Sequence, residues 1–320
     1  MKKTIILIAF GFLFQNAIAE NGNDSISKFS FAFKPSAFKS LKCDACGSAT
    51  GGSMGFSSML SSNFIGLRYF YQRYESRDGI FANSPKIAEH FNTIQIWTRI
   101  PITEKLQLSA FVPYHSHNRK LTAGNRDISG IGDITILGMV TVYETKSDSA
   151  AFSHKLQLGG GLKIPTGEYR SSNNEGTVNP GFQLGSGSLD YVLAAEYVLK
   201  TKNICFNAIL NYNLKTENNK EYKFGNQLNY GGTFFTLYKL KKIRLMPQLG
   251  LAGEVYESNR QHDQYLPDTS GDILFSKFGI ETGLDNFSLG LNAMIPISQN
   301  LTGGNVDAKY RWSVNLNYTL

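Results

Sequence analysis

The sequence predicts an all-β protein, a transmembrane antiparallel β-barrel of twelve strands. Three observations carry that expectation: an export leader, apolar residues at every second position through the rest of the chain, and connections that alternate between short and long. The leader comes first. Lys2 and Lys3 form a basic start, Thr4 to Phe14 is a short apolar run, and Ala17-Ile18-Ala19 is a small-x-small cleavage pattern. That run is too short for a membrane helix, which needs roughly 20 residues. Residues 1–19 are therefore expected to be a cleaved signal peptide, with Glu20 starting the mature chain.

Period-two alternation is clearest at the C-terminus. From Tyr310 to Leu320 every even position (Tyr310, Trp312, Val314, Leu316, Tyr318, Leu320) is apolar or aromatic, and every odd one is polar. A strand sorts residues this way because successive side chains point to opposite faces; a helix would scatter them around its circumference. Eleven segments upstream repeat the pattern. They lie at about 63–74 (Ile65, Leu67, Tyr69, Tyr71), 92–102 (Ile94, Ile96, Ile100), 105–115 (Leu106, Leu108, Val112) and 131–143 (Ile134, Ile136, Val140). The next four lie at about 154–166 (Leu156, Leu158, Leu162), 187–199 (Leu189, Tyr191, Leu193), 203–214 (Phe206, Leu210, Tyr212) and 227–240 (Leu228, Tyr230, Phe234). The last three lie at about 243–256 (Leu249, Leu251, Val255), 273–284 (Leu274, Phe278, Ile280) and 287–297 (Phe287, Leu289, Leu291).

Links after the even-numbered segments are short or moderate, as at Thr103-Glu104, Lys241-Lys242 and Asp285-Asn286, whereas those after the odd ones read as long polar loops. Outer-membrane barrels have this asymmetry, with short periplasmic turns and long outer loops, so both termini are expected in the periplasm. Tyrosines and Trp312 cluster on the apolar phase near both ends, as two interfacial girdles require. Pro113, Pro165 and Pro296 are read as strand ends, because proline removes a ladder hydrogen bond.

The opposite phase should line the lumen. Its polar candidates are Arg68, Arg99, Asp133, Lys155, Lys163, Asp190, Glu196, Asn207, Gln248, Glu254, Lys277, Glu281 and Arg311; its apolar ones include Phe70, Trp97, Phe111 and Phe235. Such residues either pair across a narrow barrel and fill it or border a path, and the sequence leaves both open. The apolar ones either pack against an inserted N-terminal segment or form a greasy passage.

Residues 20–62 precede the first clear strand and read as a periplasmic segment that could plug the lumen. They contain Cys43-Asp-Ala-Cys46, a disulfide candidate in an oxidising compartment. A metal site is the weaker reading, because the two thiolates lack a neighbouring histidine and Cys205 would have to join them. The glycine-rich run that follows, Gly47 to Gly55, lacks the Gly-Lys-Ser/Thr ending of a phosphate loop, and no cofactor is expected. Net charge is +7, and loss of Lys2 and Lys3 with the leader leaves +5. No dense Lys/Arg run is present, which argues against nucleic acid as a partner. The surplus suits anionic lipopolysaccharide or an anion-leaning pore.

Three stretches stand out in order: Gly130-Ile-Gly-Asp133-Ile-Thr, Gly161-Leu-Lys-Ile-Pro-Thr-Gly167, and Gln183-Leu-Gly-Ser-Gly-Ser-Leu-Asp-Tyr191. This triplet resembles the family of outer-membrane transporters named after the MetA pathway of phenol degradation. The resemblance implies a barrel that passes hydrophobic or aromatic compounds. Two features depart from the family pattern: the C-x-x-C segment, and a final Leu320 where barrel insertion signals commonly end in Phe.

The leading functional expectation is a channel or transporter for small, hydrophobic or aromatic solutes. Outer-membrane lipid, lipopolysaccharide and, during biogenesis, the barrel-assembly machinery are its expected partners. An accessory or receptor barrel with a thiol- or metal-binding segment is the alternative. A lipid hydrolase ranks below both: His115-Ser116-His117-Asn118 offers suitable residue types, but these read as solvated groups at the start of a long loop.

Overall fold

The computed structural model describes residues 60, 63–77, 83–121, 124–145, 152–173, 179–201 and 204–320. The leader, the C-x-x-C pair and almost all of the segment 20–62 lie outside the described residues. In chain order the strands are β1 (Phe64–Arg77), β2 (Lys86–Pro101), β3 (Leu106–Leu121), β4 (Gly124–Ile131), β5 (Ile134–Glu144) and β6 (Ser153–Ile164). Then come β7 (Asp190–Lys200), β8 (Cys205–Leu214), β9 (Tyr222–Lys223), β10 (Gln227–Phe235), β11 (Tyr238–Leu240) and β12 (Ile243–Tyr256). The chain closes with β13 (Arg260–Gln261), β14 (Gln264–Tyr265), β15 (Gly271–Leu284), β16 (Phe287–Leu301) and β17 (Val306–Thr319). β4 and β5 share one stave against β3, and β10 and β11 share one against β12, so twelve staves form a closed antiparallel barrel. Closure is made by β1 against β17, from Phe64↔Thr319 to Ser76↔Val306. β9, β13 and β14 form a separate small ribbon over the long-loop end.

Burial inverts the rule for water-soluble proteins. Leu316 is 50% exposed, while its neighbours Asn315 and Asn317 are 2% and 1% exposed. The same holds around the ring: Ile65, Leu67, Ile96, Leu193, Leu249 and Leu291 point outward, while Arg68, Gln95, Asn207 and Lys277 are buried. An outward apolar band around a closed hydrogen-bonded wall is stable only in lipid, where every backbone polar group must be satisfied internally. Leu67 lies mid-band, between Ile96 and Leu316. Leu67→Lys is therefore expected to destabilise the barrel by about 2–4 kcal/mol, as measured by urea unfolding from vesicles. A cost below 1 kcal/mol would place that face outside the hydrocarbon.

Several boundaries differ from the sequence expectation, and the differences share a cause. β2 begins at Lys86, β3 runs on to Leu121, and β16 and β17 extend until only residues 302–305 separate them. Much of what reads as loop is thus strand that continues past the apolar band, where outward positions become polar. Pro113 and Pro296 lie inside strands rather than at their ends. Pro113 accepts a hydrogen bond from Gly132 N at 2.8 Å, so its missing N–H faces the break between β4 and β5. Pro247 likewise accepts from Thr236 N, opposite the break between β10 and β11. Each proline faces an interruption that leaves no partner wanting its N–H.

The barrel lumen as candidate functional site

The described parts of the connection from β6 to β7, residues 165–173 and 179–189, fold into the long-loop end of the barrel and are fastened at two places. Strand β6 stops at Pro165, which cannot extend the ladder. Thr166 then substitutes for it: its Oγ1 donates to Gly132 O at 2.6 Å and accepts from Ile134 N at 3.1 Å, bridging the β4–β5 break. This break leaves Asp133 outside the strands, and its carboxylate accepts from Gly167 N (3.1 Å), Ser186 N (2.8 Å), Ser186 Oγ (2.9 Å) and Lys163 Nζ (2.9 Å). Lys163 also meets Asp190 at 2.7 Å, and Asp190 takes Lys215 at 3.3 Å and Ser188 Oγ at 2.8 Å. Burial, with Lys163 beside it, brings the Lys215 ammonium in the following loop down to about 8.

The three sequence motifs therefore meet at one node. Two of their glycines are required by close approach. A Cβ on Gly185 would collide with the Asp133 carboxylate, and one on Gly167 would lie 2.6 Å from Leu184 O.

The second fastening has no motif. Arg119 and Glu89, both fully buried, lie 3.6 Å apart. Arg119 Nη2 donates to Asn173 O at 2.6 Å, its guanidinium stacks 4.0 Å from the Phe182 ring, and Asn179 Nδ2 donates to Glu89. His117 contributes to this anchor, packing on Phe91 and Phe182 with centroids 4.7 and 6.3 Å away. This corrects the reading of His115 and His117 as solvated loop groups. Both sit on β3; His117 is buried, and a His115 ring nitrogen lies 2.8 Å from Thr93 Oγ1. Ser116 points to the other face of the strand, away from both rings, so the trio does not assemble as nucleophile and base.

Nearer the short-turn end, Arg68 lies 3.4 Å over the Trp97 ring, which packs with Phe64 and Phe111. Its Nε and Nη2 make no hydrogen bond. Arg99 lies 5.4 Å from the Phe64 ring. Three staves away, Lys277 donates to Thr233 Oγ1 at 3.1 Å. Glu281 accepts from Ser288, and Glu196 from Asn207. Gln248 is buried, and Lys155 is partly buried near the rim. At that same end Leu60 packs with Leu237 against Cys205, Phe235 and Met246. Among the described residues no group of three or more His, Cys, Asp or Glu is placed to hold a metal ion.

Arg311 is the hub of the upper wall. It meets Glu254 through both terminal nitrogens, at 2.5 and 3.0 Å, donates from Nε to Tyr74 OH at 3.1 Å, and lies 4.3 Å over the Phe275 ring. Between this hub and the inserted loop is a cavity of about 380 Å³. Phe70, Tyr74, Phe91 and Tyr256 supply apolar wall, Lys163 and Lys215 with Asp133 beside them supply polar wall, and Phe224 and Asn259 lie under the roof. The roof is braced by Asn259 Nδ2 donating to Tyr222 OH at 2.8 Å and Gly225 N donating to Asn259 Oδ1 at 2.8 Å.

The motif node sits within the stretch matched by a known protein family, described as Putative MetA-pathway of phenol degradation, which covers residues 87–319. The chain belongs to that family. Among curated proteins none matches significantly. Among solved structures, an outer-membrane channel from Pseudomonas putida F1 is similar in fold, with a TM-score of 0.57 at 14% identity over 85% of this chain and 100% of that one. The β domain of the Bordetella autotransporter BrkA gives 0.45 at 8% identity, over 81% and 100% of the two chains. The NanC porin gives 0.44 at 9%, over 79% and 100%. The three stretches that carry the resemblance, all within the matched residues, are the ones that hold the inserted loop.

Proposed function

We propose that this protein is an outer-membrane channel for small aromatic solutes, anionic ones included, which pause in the cavity beneath the inserted loop. The cavity is the observation that carries the proposal. Its volume falls at the lower end of the range for small-molecule sites, and such sites pair apolar walls with a few placed polar groups. Rings on one side and two lysine ammoniums, shared with Asp133 and Asp190, on the other suit a benzene ring bearing a polar substituent such as a hydroxyl or carboxylate. In this reading the long loops face outward and both termini face the periplasm. The segment 20–62, freed of the leader, is periplasmic in this reading, and the packing of Leu60 at the short-turn end supports it.

Planar-bilayer conductance and liposome swelling with benzoate, phenol and an uncharged sugar of similar size test the proposal. Benzoate and phenol are expected to pass faster than the sugar. A folded protein that conducts no benzoate and swells no liposome overturns it. Arg68 is expected to favour anions on the path below, because its cation is buried and its Nε and Nη2 make no hydrogen bond. Arg68→Glu should shift the reversal potential in a salt gradient several-fold toward cations; an unchanged potential would remove Arg68 from the path.

A further inference from the structure

On one arc the outer wall passes from apolar to aromatic to cationic within a few residues. The outward positions of β1 run Leu67, Tyr69, Tyr71, Arg73. Successive outward residues of a strand are about 7 Å apart. The aromatic step is a continuous platform over β17 and β1: Trp312 stacks with Tyr69 and Tyr71 at 5.3 and 5.8 Å, and Tyr310 with Tyr71 at 5.9 Å. Amphipathic rings of this kind settle at the membrane–water interface, which sets Arg73 at the level of the lipid headgroups.

The cations above the platform divide into balanced and unbalanced ones. Lys309 meets Glu75 at 2.9 Å and Lys86 meets Asp307 at 2.6 Å, so those charges are answered within the wall. Arg73 has only a 3.6 Å contact with Glu75, which Lys309 already holds, and its Nε has no hydrogen-bond partner. Lys120 on β3 is exposed and makes no ion pair among the described residues. His90 of β2 stands between these two. It is in register with Arg73 on one side and with Asn118, two positions before Lys120, on the other, and it feels both charges. Its Nδ1 lies 2.6 Å from the Tyr71 hydroxyl. A ring nitrogen that accepts from that hydroxyl keeps the proton on Nε2, as a further donor.

Three donor side chains on three adjacent strands make a built array. β1 and β3 are two strand spacings apart, about 10 Å. Arginine and lysine side chains are long enough to close that gap around a tetrahedral oxyanion, and cation-to-phosphate hydrogen bonds are among the strong ones. The far arc of the ring has the other sign. There Tyr212 of β8 donates to Glu257 at 3.0 Å, and Asn226 Nδ2 donates to the same carboxylate at 2.8 Å. Cationic headgroup contacts are therefore concentrated on one side of the barrel, where a general attraction to anionic lipid would spread them around it.

We propose that the outer wall from β17 to β3 is a lipopolysaccharide site, in which Arg73, His90 and Lys120 bind a phosphate of the lipid A headgroup and Tyr69, Tyr71, Tyr310 and Trp312 carry its sugar. The acyl chains continue down the wall over Leu67 and Ile96, which pair in register and point outward. One molecule then meets phosphate, sugar and hydrocarbon in the order in which the wall presents cation, ring and aliphatic side chain. The site rests on the long loops facing the cell exterior, because this lipid belongs to the outer leaflet, and it is independent of what the lumen conducts.

Native mass spectrometry of the purified barrel, titrated in detergent with Kdo2-lipid A, its dephosphorylated form or phosphatidylglycerol, tests the site. Wild type is expected to retain one Kdo2-lipid A, and to hold the dephosphorylated form and phosphatidylglycerol about tenfold more weakly. Arg73→Gln with Lys120→Gln should weaken Kdo2-lipid A by about tenfold or more, while Arg73→Lys with Lys120→Arg, which keeps both charges, should hold it nearly as well as wild type. Both variants change exposed outer positions, and heat-modified gel mobility checks that they fold. Equal affinity of wild type and the glutamine variant overturns the proposal, as does equal affinity for the lipid with and without its phosphates. Phosphatidylglycerol bound as tightly as lipid A also overturns it. Orientation has a separate readout: Asn125→Cys, exposed on β4 next to the same arc, should react on intact cells with a membrane-impermeant maleimide beyond the level of the parent protein. Labelling without phosphate-dependent binding removes the site alone, and no labelling overturns the outward orientation and the site with it.

Discussion

Replacing Arg311 with alanine is expected to destabilise the barrel by about 3–5 kcal/mol, the cost of stranding a buried partner charge. Arg311 and Glu254 are both almost wholly buried and face each other through two parallel contacts. Without the guanidinium, the Glu254 carboxylate keeps the Tyr256 hydroxyl as a donor but loses the opposite charge. Tyr74 and the Phe275 face lose the same cation. Urea unfolding in vesicles, followed by tryptophan fluorescence, reads the loss. Arg311→Ala combined with Glu254→Leu should recover most of it, because the stranded charge is then gone. If the single variant unfolds within 1 kcal/mol of wild type, the pair does not hold the upper wall.

Asp133→Ala should release the inserted loop at its motif end. That carboxylate takes two backbone N–H groups, a hydroxyl and an ammonium. Hydrogen bonds involving a charged group contribute about 1.5–3 kcal/mol each, so even half of the set gives a bias of more than a hundredfold toward the folded-in loop. The second anchor, Arg119 with Glu89, still holds Asn173 and Asn179. Single-channel conductance is therefore expected to rise several-fold in Asp133→Ala and further when Arg119→Ala is added. Trypsin should cut faster at Arg170, whose exposed side chain lies between the two anchors. Unchanged conductance together with unchanged cleavage would mean that the loop does not obstruct the path.

The alternation that marks the strands is a property of the lipid band, and the sequence was legible to the depth of that band. Within it, positions such as Leu67, Leu193 and Leu316 must be apolar while Arg68, Gln95 and Asn315 need not be, and the phase of each strand follows. Above it, the outward residues of β3 are Ser116, Asn118 and Lys120, and those of β4 are Asn125, Asp127 and Ser129. With both faces polar, a continuing strand reads as loop, which is why the sequence alone suggests solvated positions for His115 and His117.

Inward residues were legible by phase, but their partners were not. Arg119 meets Asn173 at a separation of 54 residues, and Asn179 meets Glu89 at 90. Only the glycines carried a local hint, because Gly167 and Gly185 are small where another backbone or a carboxylate must come close. The inward apolar residues divide between two ends of the lumen. Phe235 and Met246 pack on Leu60, while Phe70 walls the cavity.

The joint between β1 and β17 bears on how such a chain is assembled. Its members stand at opposite ends of the described chain, and Asn63 Nδ2 reaches Leu320 O across a separation of 257 residues. Contacts this distant in sequence form late, because ordering the intervening chain costs entropy before any bond rewards it. The final fourteen residues of strand thus do not add one stave to a finished wall. They convert an open sheet with two raw edges, β1 and β16, into a ring without an edge, and hydrocarbon tolerates only the ring. A ribosome that stops short of β17 has made a polypeptide with nearly every residue of the barrel and no membrane-stable form at all.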